Sequence, residues 1–313
     1  IKKPETDSRY LFLTASDLPG SNTIHILGRP FPLMAAERTA FPREIIMALF
    51  APDYESAEIM RRELKIETEK AENPAVETAE LPSALEYGWG EFTPQEDGEK
   101  KYRTAETEFR LRHIAEPSLR NYTVTAWMDN ANLHIEAPCE WMELVRSAVS
   151  EATGYPRKNI HVHPARYASK HDEYLTAPAV LAALAATAAI KTGLPTEIRD
   201  TAVFSRPGIE VKRSTLTDEE GKPLSETVSM SIDMGAYPIM PEEYQRQAMA
   251  GLIPPYPLKE FKATVSVKTS ERYPASFAGS LGYSEALAST EFHISRLAEE
   301  ASMTPYQYRL SME

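Results

Sequence analysis

The stretch Thr176–Ile190, TAPAVLAALAATAAI, constrains this chain more than any other. Thr176 suits an N-cap, and Ala177 and Pro178 suit a first helical turn. Ala, Val, Leu and Ile then continue to Ile190 without a charge, with Thr187 the only polar residue among them. A helix apolar on nearly every side is buried all round. At about 1.5 Å per residue it covers only roughly 20–24 Å, short of the ~30 Å hydrocarbon core of a bilayer. Lys191 suits the C-terminal dipole, Gly193 a left-handed stop, and Pro195 prevents continuation. Thr196–Phe204 follows directly as an expected strand. Such a helix is a scaffold, so chemistry belongs on the loops at its ends.

A chain of 313 residues is long enough for two or more domains with sizeable cores. Its net charge of −12 comes with no basic stripe interleaved with aromatics, which argues against nucleic acid and anionic membrane surfaces as partners. The single cysteine, Cys139, excludes an intrachain disulfide framework and suits a reducing, cytoplasmic setting. No secretory signal is visible. The chain opens on Ile1 without a methionine and reads as a fragment or a processed piece.

Local patterns predict an α+β protein. Arg9–Thr14 and Ile45–Phe50 read as strands, the second apolar enough to be covered on both faces. Asp53 caps a helix over Tyr54–Glu63, and Leu64–Thr68 alternates like a strand. Glu69–Pro82 is rich in Glu, Ala and Pro without periodicity and reads as linker. Tyr122–Trp127 and Leu133–Ala137 form an expected hairpin about Asp129-Asn130. Trp141–Thr153 is an amphipathic helix ended by Gly154 and Pro156, and Asn159–His163 a strand. Ile209–Thr217 and Thr227–Met234 are expected strands around Asp218–Lys222, with Val228, Met230, Ile232 and Met234 on one face. Ala263–Val267 is a further strand, Ser284–Ala301 a helix, and Thr304 caps a last turn with Pro305 at its first position.

Several residues are chemically suggestive. His161 and His163 share a strand face, with His171, Asp172 and Glu173 close in sequence, a donor set that suits zinc or iron. The plainer reading is two exposed imidazoles and a solvated loop, because no HExxH helix supports them, and no metal ligand is expected. Cys139 reads as a small buried hydrophobe rather than a nucleophile. Glu116 reads as a structural carboxylate. Gly279–Gly282, GSLG before a helix, could hold an anion through backbone N–H groups.

Taken in order, longer stretches resemble the molybdenum-binding subunit of the xanthine dehydrogenase/aldehyde oxidase family, the molybdenum hydroxylases. FLTASDLPGSNTI at Phe12–Ile24 resembles that family's "lTAkDIPG.N", and Pro32–Glu58 its "PlLA…V.y.GqpvA.vvA" run. HIAEP at His113–Pro117 resembles "H..mEP", and the central helix with KTGLP resembles "alaA..TGrPV". Met234-Gly235-Ala236-Tyr237 resembles "naGAY", Phe277–Glu291 resembles "FRGFG.pqa…E", and Thr304–Met312 resembles "dP.efRlrN".

The resemblance implies a truncated α/β hammerhead-like domain over 1–74, a linker over 75–88, and over 89–313 the first half of the family's molybdopterin-binding domain, with mixed sheets packed by helices. It implies part of an oxidoreductase that hydroxylates N-heterocycles or aldehydes. Molybdenum cofactor is implied for the full assembly and none for this segment alone. The implied partners are the remaining half of the subunit, iron–sulfur and FAD subunits or domains, and a small-molecule substrate. The implied cofactor-facing positions are Glu140, His171, Asp172, Glu173, Ala278, Gly279 and Gly282. A catalytic residue is not implied, because the family's glutamate base lies in the absent half. The departures leave two alternatives open. The family's "GGGFGGK" loop reads Ala168–Tyr174 here, its "TQ" reads Cys139-Glu140, and the arginine of "FRGFG" is Ala278. A non-catalytic structural or assembly subunit is therefore the second reading, and an unrelated His/carboxylate metalloenzyme the third.

Overall fold

In a computed structural model, residues 7–70, 72–81, 83–94, 101–165, 176–275 and 280–312 are described. The elements in chain order are β1 (Leu11–Leu13), β2 (Thr23–Ile26), β3 (Arg29–Pro32), β4 (Ala48–Phe50), α1 (Tyr54–Glu63), β5 (Leu85–Gly90) and β6 (Arg103–Leu111). They continue as β7 (Ile114–Asp129), β8 (Asn132–Ala137), α2 (Met142–Thr153), β9 (Ile160–Pro164), α3 (Thr176–Thr192), β10 (Thr196–Arg206) and β11 (Gly208–Thr217). The last are β12 (Pro223–Asp233), α4 (Pro241–Leu252), β13 (Glu260–Lys268), α5 (Tyr283–Glu300) and α6 (Pro305–Leu310). Mixed sheets packed with helices make this an α+β protein, as the sequence predicts. The chain divides into two compact units, each discontinuous in sequence: 1–77 with 115–205 and 271–277, and 78–114 with 206–270 and 278–313.

The first unit is built on α3. Every residue from Pro178 to Ala189 is buried, which is what an all-apolar stripe of small side chains requires. The one buried hydroxyl on that helix, Thr187, donates back to the Ala183 carbonyl at 2.8 Å, so it carries no unmet polar cost. α2 and β8 pack on α3. α2 turns Val145, Ala148, Val149 and Ala152 inward and is closed by Gly154. The four-stranded sheet runs β10-β7-β8-β9, with β7 and β8 antiparallel and β8 and β9 parallel. Asn130, at φ 54°, makes the turn between β7 and β8, consistent with the tolerance of Asn for that region.

Two expectations for this unit are corrected. Of Ile45–Phe50 only Ala48–Phe50 is strand, and β4 pairs with β1 in a two-stranded ribbon rather than lying inside a covered sheet. Leu64–Thr68 forms no strand; Ile66 is 49% exposed. Its alternation is real, but the segment lacks an apolar face against which to hold it. The helix at Tyr54–Glu63 is as expected, with Asp53 accepting from the Ser56 N–H at 2.8 Å.

The second unit is a five-stranded sheet of order β5-β13-β12-β11-β6. β11 and β12 form the expected antiparallel pair, with Val228, Met230 and Ile232 on the buried face. β12 and β13 are parallel, so the chain must cross over between them, and α4 makes that crossover. α4 packs on β13, and α5 on β6 and β11. The sequence reading passed over α4, although Pro241 stands in its first turn with Glu242 and Glu243. α4 and α5 cross closely at Gly251, where a Cβ would come within 2.5 Å of the Tyr283 carbonyl oxygen. The opposite face of the sheet is polar, and Lys212, Thr227 and Ser229 are exposed on it.

Candidate functional site

The loop after β8 places the first expected site residues. The Ala137 carbonyl accepts the N–H of Cys139 at 2.9 Å and that of Ala165 at 2.8 Å. The chain leaving β8 and the chain leaving β9 are thus clipped together at Ala137. The Cys139 side chain turns into the core at 2% exposure, and burial pushes its thiol up to about 11. It is a packing residue rather than a nucleophile, as the sequence reading holds. Glu140 points to solvent, and Trp141 opens α2 at 50% exposure. His171, Asp172 and Glu173 lie outside the described residues, as do Ala278 and Gly279. Glu116 is exposed on β7.

Gly282, in the second unit, opens α5 at φ 89°. A Cβ there would stand 3.3 Å from the Ala248 Cβ and 3.6 Å from the Tyr244 ring. The positive φ together with α4 packing accounts for the glycine.

His161 and His163 share a face, as their spacing predicts, but they do not pair with one another. The parallel register sets His161 opposite His134 and His163 opposite Glu136. His163 Nε2 stands 3.0 Å from His134 Nδ1, and His161 Nε2 is 3.3 Å from the side-chain oxygen of Asn132. Among the described residues no group of three or more His, Cys, Asp or Glu is arranged to hold a metal ion.

Sequence reading missed a buried polar network in the second unit. Arg213 on β11 pairs with Glu226 on β12, the two side chains 1% and 0% exposed. Arg213 also donates to the Leu252 carbonyl at 2.9 Å and to Thr290 at 2.7 Å. The Thr215 hydroxyl donates to Glu226 Oε2 at 2.8 Å, and the Tyr256 hydroxyl donates to the same oxygen. Thr215, its proton committed, accepts from His293 Nε2 at 2.7 Å, which leaves Nδ1 to accept from Thr107 at 2.8 Å. His293 is therefore neutral: burial first, and then the Arg213 charge, hold its pKa down at about 3. The polar periodicity of β11 gave the only clue, since Arg213 falls among the inward positions Val211 and Thr215. An open depression of about 510 Å³ lies over the outer face of β6, β11 and β12, lined by Glu106, Glu108, Lys212, Ser214, Thr227 and Ser229.

This α+β arrangement, with an all-apolar helix beside one sheet and a parallel crossover in the other, defines the architecture; comparison with known proteins defines the family. Residues 82–311 match the model of the molybdopterin cofactor-binding domain. The chain belongs to that family. Three solved structures share the fold over 96% of this chain. They are the aldehyde oxidoreductase from Desulfovibrio gigas (TM-score 0.77, 17% identity), CO dehydrogenase from Oligotropha carboxidovorans (0.77, 17%) and quinoline 2-oxidoreductase from Pseudomonas putida 86 (0.76, 16%). The match covers 36%, 42% and 42% of those chains, respectively, so this chain spans well under half their length. Nothing among curated proteins matches it.

Of the seven expected cofactor-facing positions only Glu140 and Gly282 are among the described residues, and neither supplies a side-chain donor to the family's cofactor. A phosphate-bearing pterin calls for N–H donors or cations. Glu140 offers an exposed carboxylate, which only accepts when ionised, Cys139 is buried, and Gly282 is accounted for by packing in its own unit.

Proposed function

We propose that this chain is the first half of the molybdenum-binding subunit of a molybdenum hydroxylase, an oxidoreductase acting on N-heterocycles or aldehydes. The observation that carries the reading is the family match over residues 82–311. Residues 1–74 then serve as a partial hammerhead-like domain, 75–88 as a linker whose end runs into β5, and 89–313 as the first half of the molybdopterin-binding region. Glu140, His171, Asp172, Glu173, Ala278, Gly279 and Gly282 face the cofactor of the assembled enzyme. The remaining half, supplied by the same chain or a partner, holds the cofactor itself. Iron–sulfur and FAD subunits or domains complete the electron path, and none of the cofactor is held by these 313 residues alone. Among the described residues no helix is long and apolar enough to cross a membrane.

The exposed Glu140 carboxylate, where the family reads an amide, favours a second reading in which the chain is a non-catalytic structural or assembly subunit of the same fold. Elemental analysis decides between the two. Molybdenum in stoichiometric amount in the assembly purified through this chain, but none on the chain alone, supports the first. A stable assembly without molybdenum supports the second. Stoichiometric molybdenum on the isolated chain overturns the assignment of cofactor binding to the other half.

A further inference from the structure

One edge of the second unit's sheet is β6, which among the described residues is hydrogen-bonded on one side only, to β11. A free row of strand N–H and C=O groups is a template for another strand. The side chains along it decide what pairs there. Glu106, Glu108 and Arg110 are exposed, and Arg112, exposed too, follows just beyond the end of the strand. Thr107 and Phe109 lie on the other face, towards α5. The Thr107 hydroxyl meets His293 at 2.8 Å, and the Phe109 and Phe292 rings are 6.0 Å apart. Phe292 is 50% exposed and Leu111 39%, so apolar surface remains uncovered along this edge.

The strand period puts Glu106, Glu108, Arg110 and Arg112 on one face, two acids followed by two bases. Phe109 stands at the midpoint. Such a run is its own complement when read antiparallel. With a two-fold axis at Phe109, Glu108 faces the Arg110 of a second copy, Glu106 faces its Arg112, and each pair recurs across the axis. On the other face Phe109 meets its counterpart, flanked by Phe292 from each copy. The register is selective. Moving the axis by one residue sets Glu108 against Glu108 or Arg110 against Arg110. Moving it by two sets Glu106 against Glu108, or Arg110 against Arg112. Like charges opposed across a ladder destabilise it, so the side chains that accept this one partner reject misaligned ones.

We propose that β6 is a self-recognition edge, which joins two copies of this chain antiparallel about Phe109 and makes their two sheets continuous. The exposed Glu108–Arg110 pair within one chain is exchanged for the same pair between chains. A two-stranded junction is marginal by itself, and the surface around Phe109 and Phe292 supplies the apolar burial that it lacks. The seat is complete only in the folded unit, because β11 holds the strand and α5 supplies Phe292. Pairing depends on this edge alone and not on the chain's place in a molybdenum enzyme.

The test is sedimentation equilibrium of the full, tag-free chain at rising concentration, where a monomer–dimer equilibrium is expected. Glu108→Arg and Arg110→Glu should each weaken the dimer by at least roughly tenfold, since each turns both central pairs into like charges. An equimolar mixture of the two variants should dimerise like the wild type, because every arginine at the centre again faces a glutamate. The double variant Glu108→Arg/Arg110→Glu should recover for the same reason. Phe292→Ser should weaken the dimer, whereas Glu86→Arg, on the opposite edge at β5, should leave it unchanged. A variant that merely misfolds is not rescued by mixing, so recovery in the mixture separates the contact from damage to the fold. If either central variant unfolds by circular dichroism, Glu106→Arg and Arg112→Glu repeat the comparison at the outer pair. A wild type that stays monomeric up to its solubility limit overturns the proposal. So does a dimer that survives both single variants, or a mixture of folded variants that stays monomeric.

Discussion

Arg213 and Glu226 sit on neighbouring strands with their charges joined and neither side chain reaching solvent. Taking two charges from water is costly and is offset only where every lone pair and proton finds a partner. Glu226 meets that condition through Arg213, Thr215 and Tyr256. Arg213 meets it through Leu252 and Thr290, except at Nε, which is buried without a partner among the described residues. Because β11, β12, the end of α4 and α5 all contribute, the pair fixes how the helices register on the sheet.

Glu226→Gln should therefore destabilise the second unit by about 3–5 kcal/mol, since it strands a buried guanidinium. Glu243→Gln, which breaks the exposed pair with Arg246, should leave the unfolding midpoint nearly unchanged. Urea unfolding of both variants checks the contrast. Equal, small effects would mean that solvent reaches Arg213.

His293 ties stability to pH. The unfolded chain takes a proton on histidine near ~6.5, whereas the folded chain refuses it until about pH 3. The stability that this group contributes is thus full above ~6.5 and falls away as the pH drops towards about 3, by up to ~1.4 kcal/mol per unit. Between pH 6 and pH 4.5 the wild type should lose about 2 kcal/mol more than His293→Gln. Parallel stability profiles for the two proteins would show that His293 titrates normally.

The burial of α3 makes Ala185→Asp costly. A carboxylate placed at a position with no exposure both overpacks and lacks a partner, at a combined cost of at least roughly 4 kcal/mol. Thermal unfolding that barely shifts would contradict the helix's place in the core.

Gly251→Ala tests the helix crossing. Its added Cβ would meet the Tyr283 carbonyl oxygen at 2.5 Å and the Ala286 Cβ at 2.9 Å. The helices must then part, for about 1–3 kcal/mol. A stabilised variant, the usual result for Gly→Ala in a helix, would mean that α4 and α5 are not so close.

Helices with strong patterns were legible in the sequence, and contacts set by register were not. α3 declared itself because, Thr187 apart, every position from Ala177 to Ile190 is apolar, α2 because its apolar residues recur on one stripe. β6, with Arg103, Glu106, Glu108 and Arg110 exposed, offers almost no apolar alternation, and β5 is interrupted by Gly88. α4 hides because its inward residues include Gln245, Gly251 and Pro241. Arg213 and Glu226 lie on different strands, and only the pairing of β11 with β12 brings their charges together in the core. The spacing of His161 and His163 was visible, but His134, the true neighbour of His163, belongs to another strand and comes into view only with the parallel register.

The order of the sheet in the second unit has a consequence for synthesis on the ribosome. Its edges, β5 and β6, emerge long before β11, β12 and β13, which fill the space between them. The early strands must wait, unpaired, while much of the first unit is translated. Glu86, Glu106, Glu108 and Arg110, exposed along those edges, keep the waiting strands from recruiting one another across nascent chains. Replacing those charges with apolar residues would thus be felt first as aggregation during expression, with the finished fold little altered.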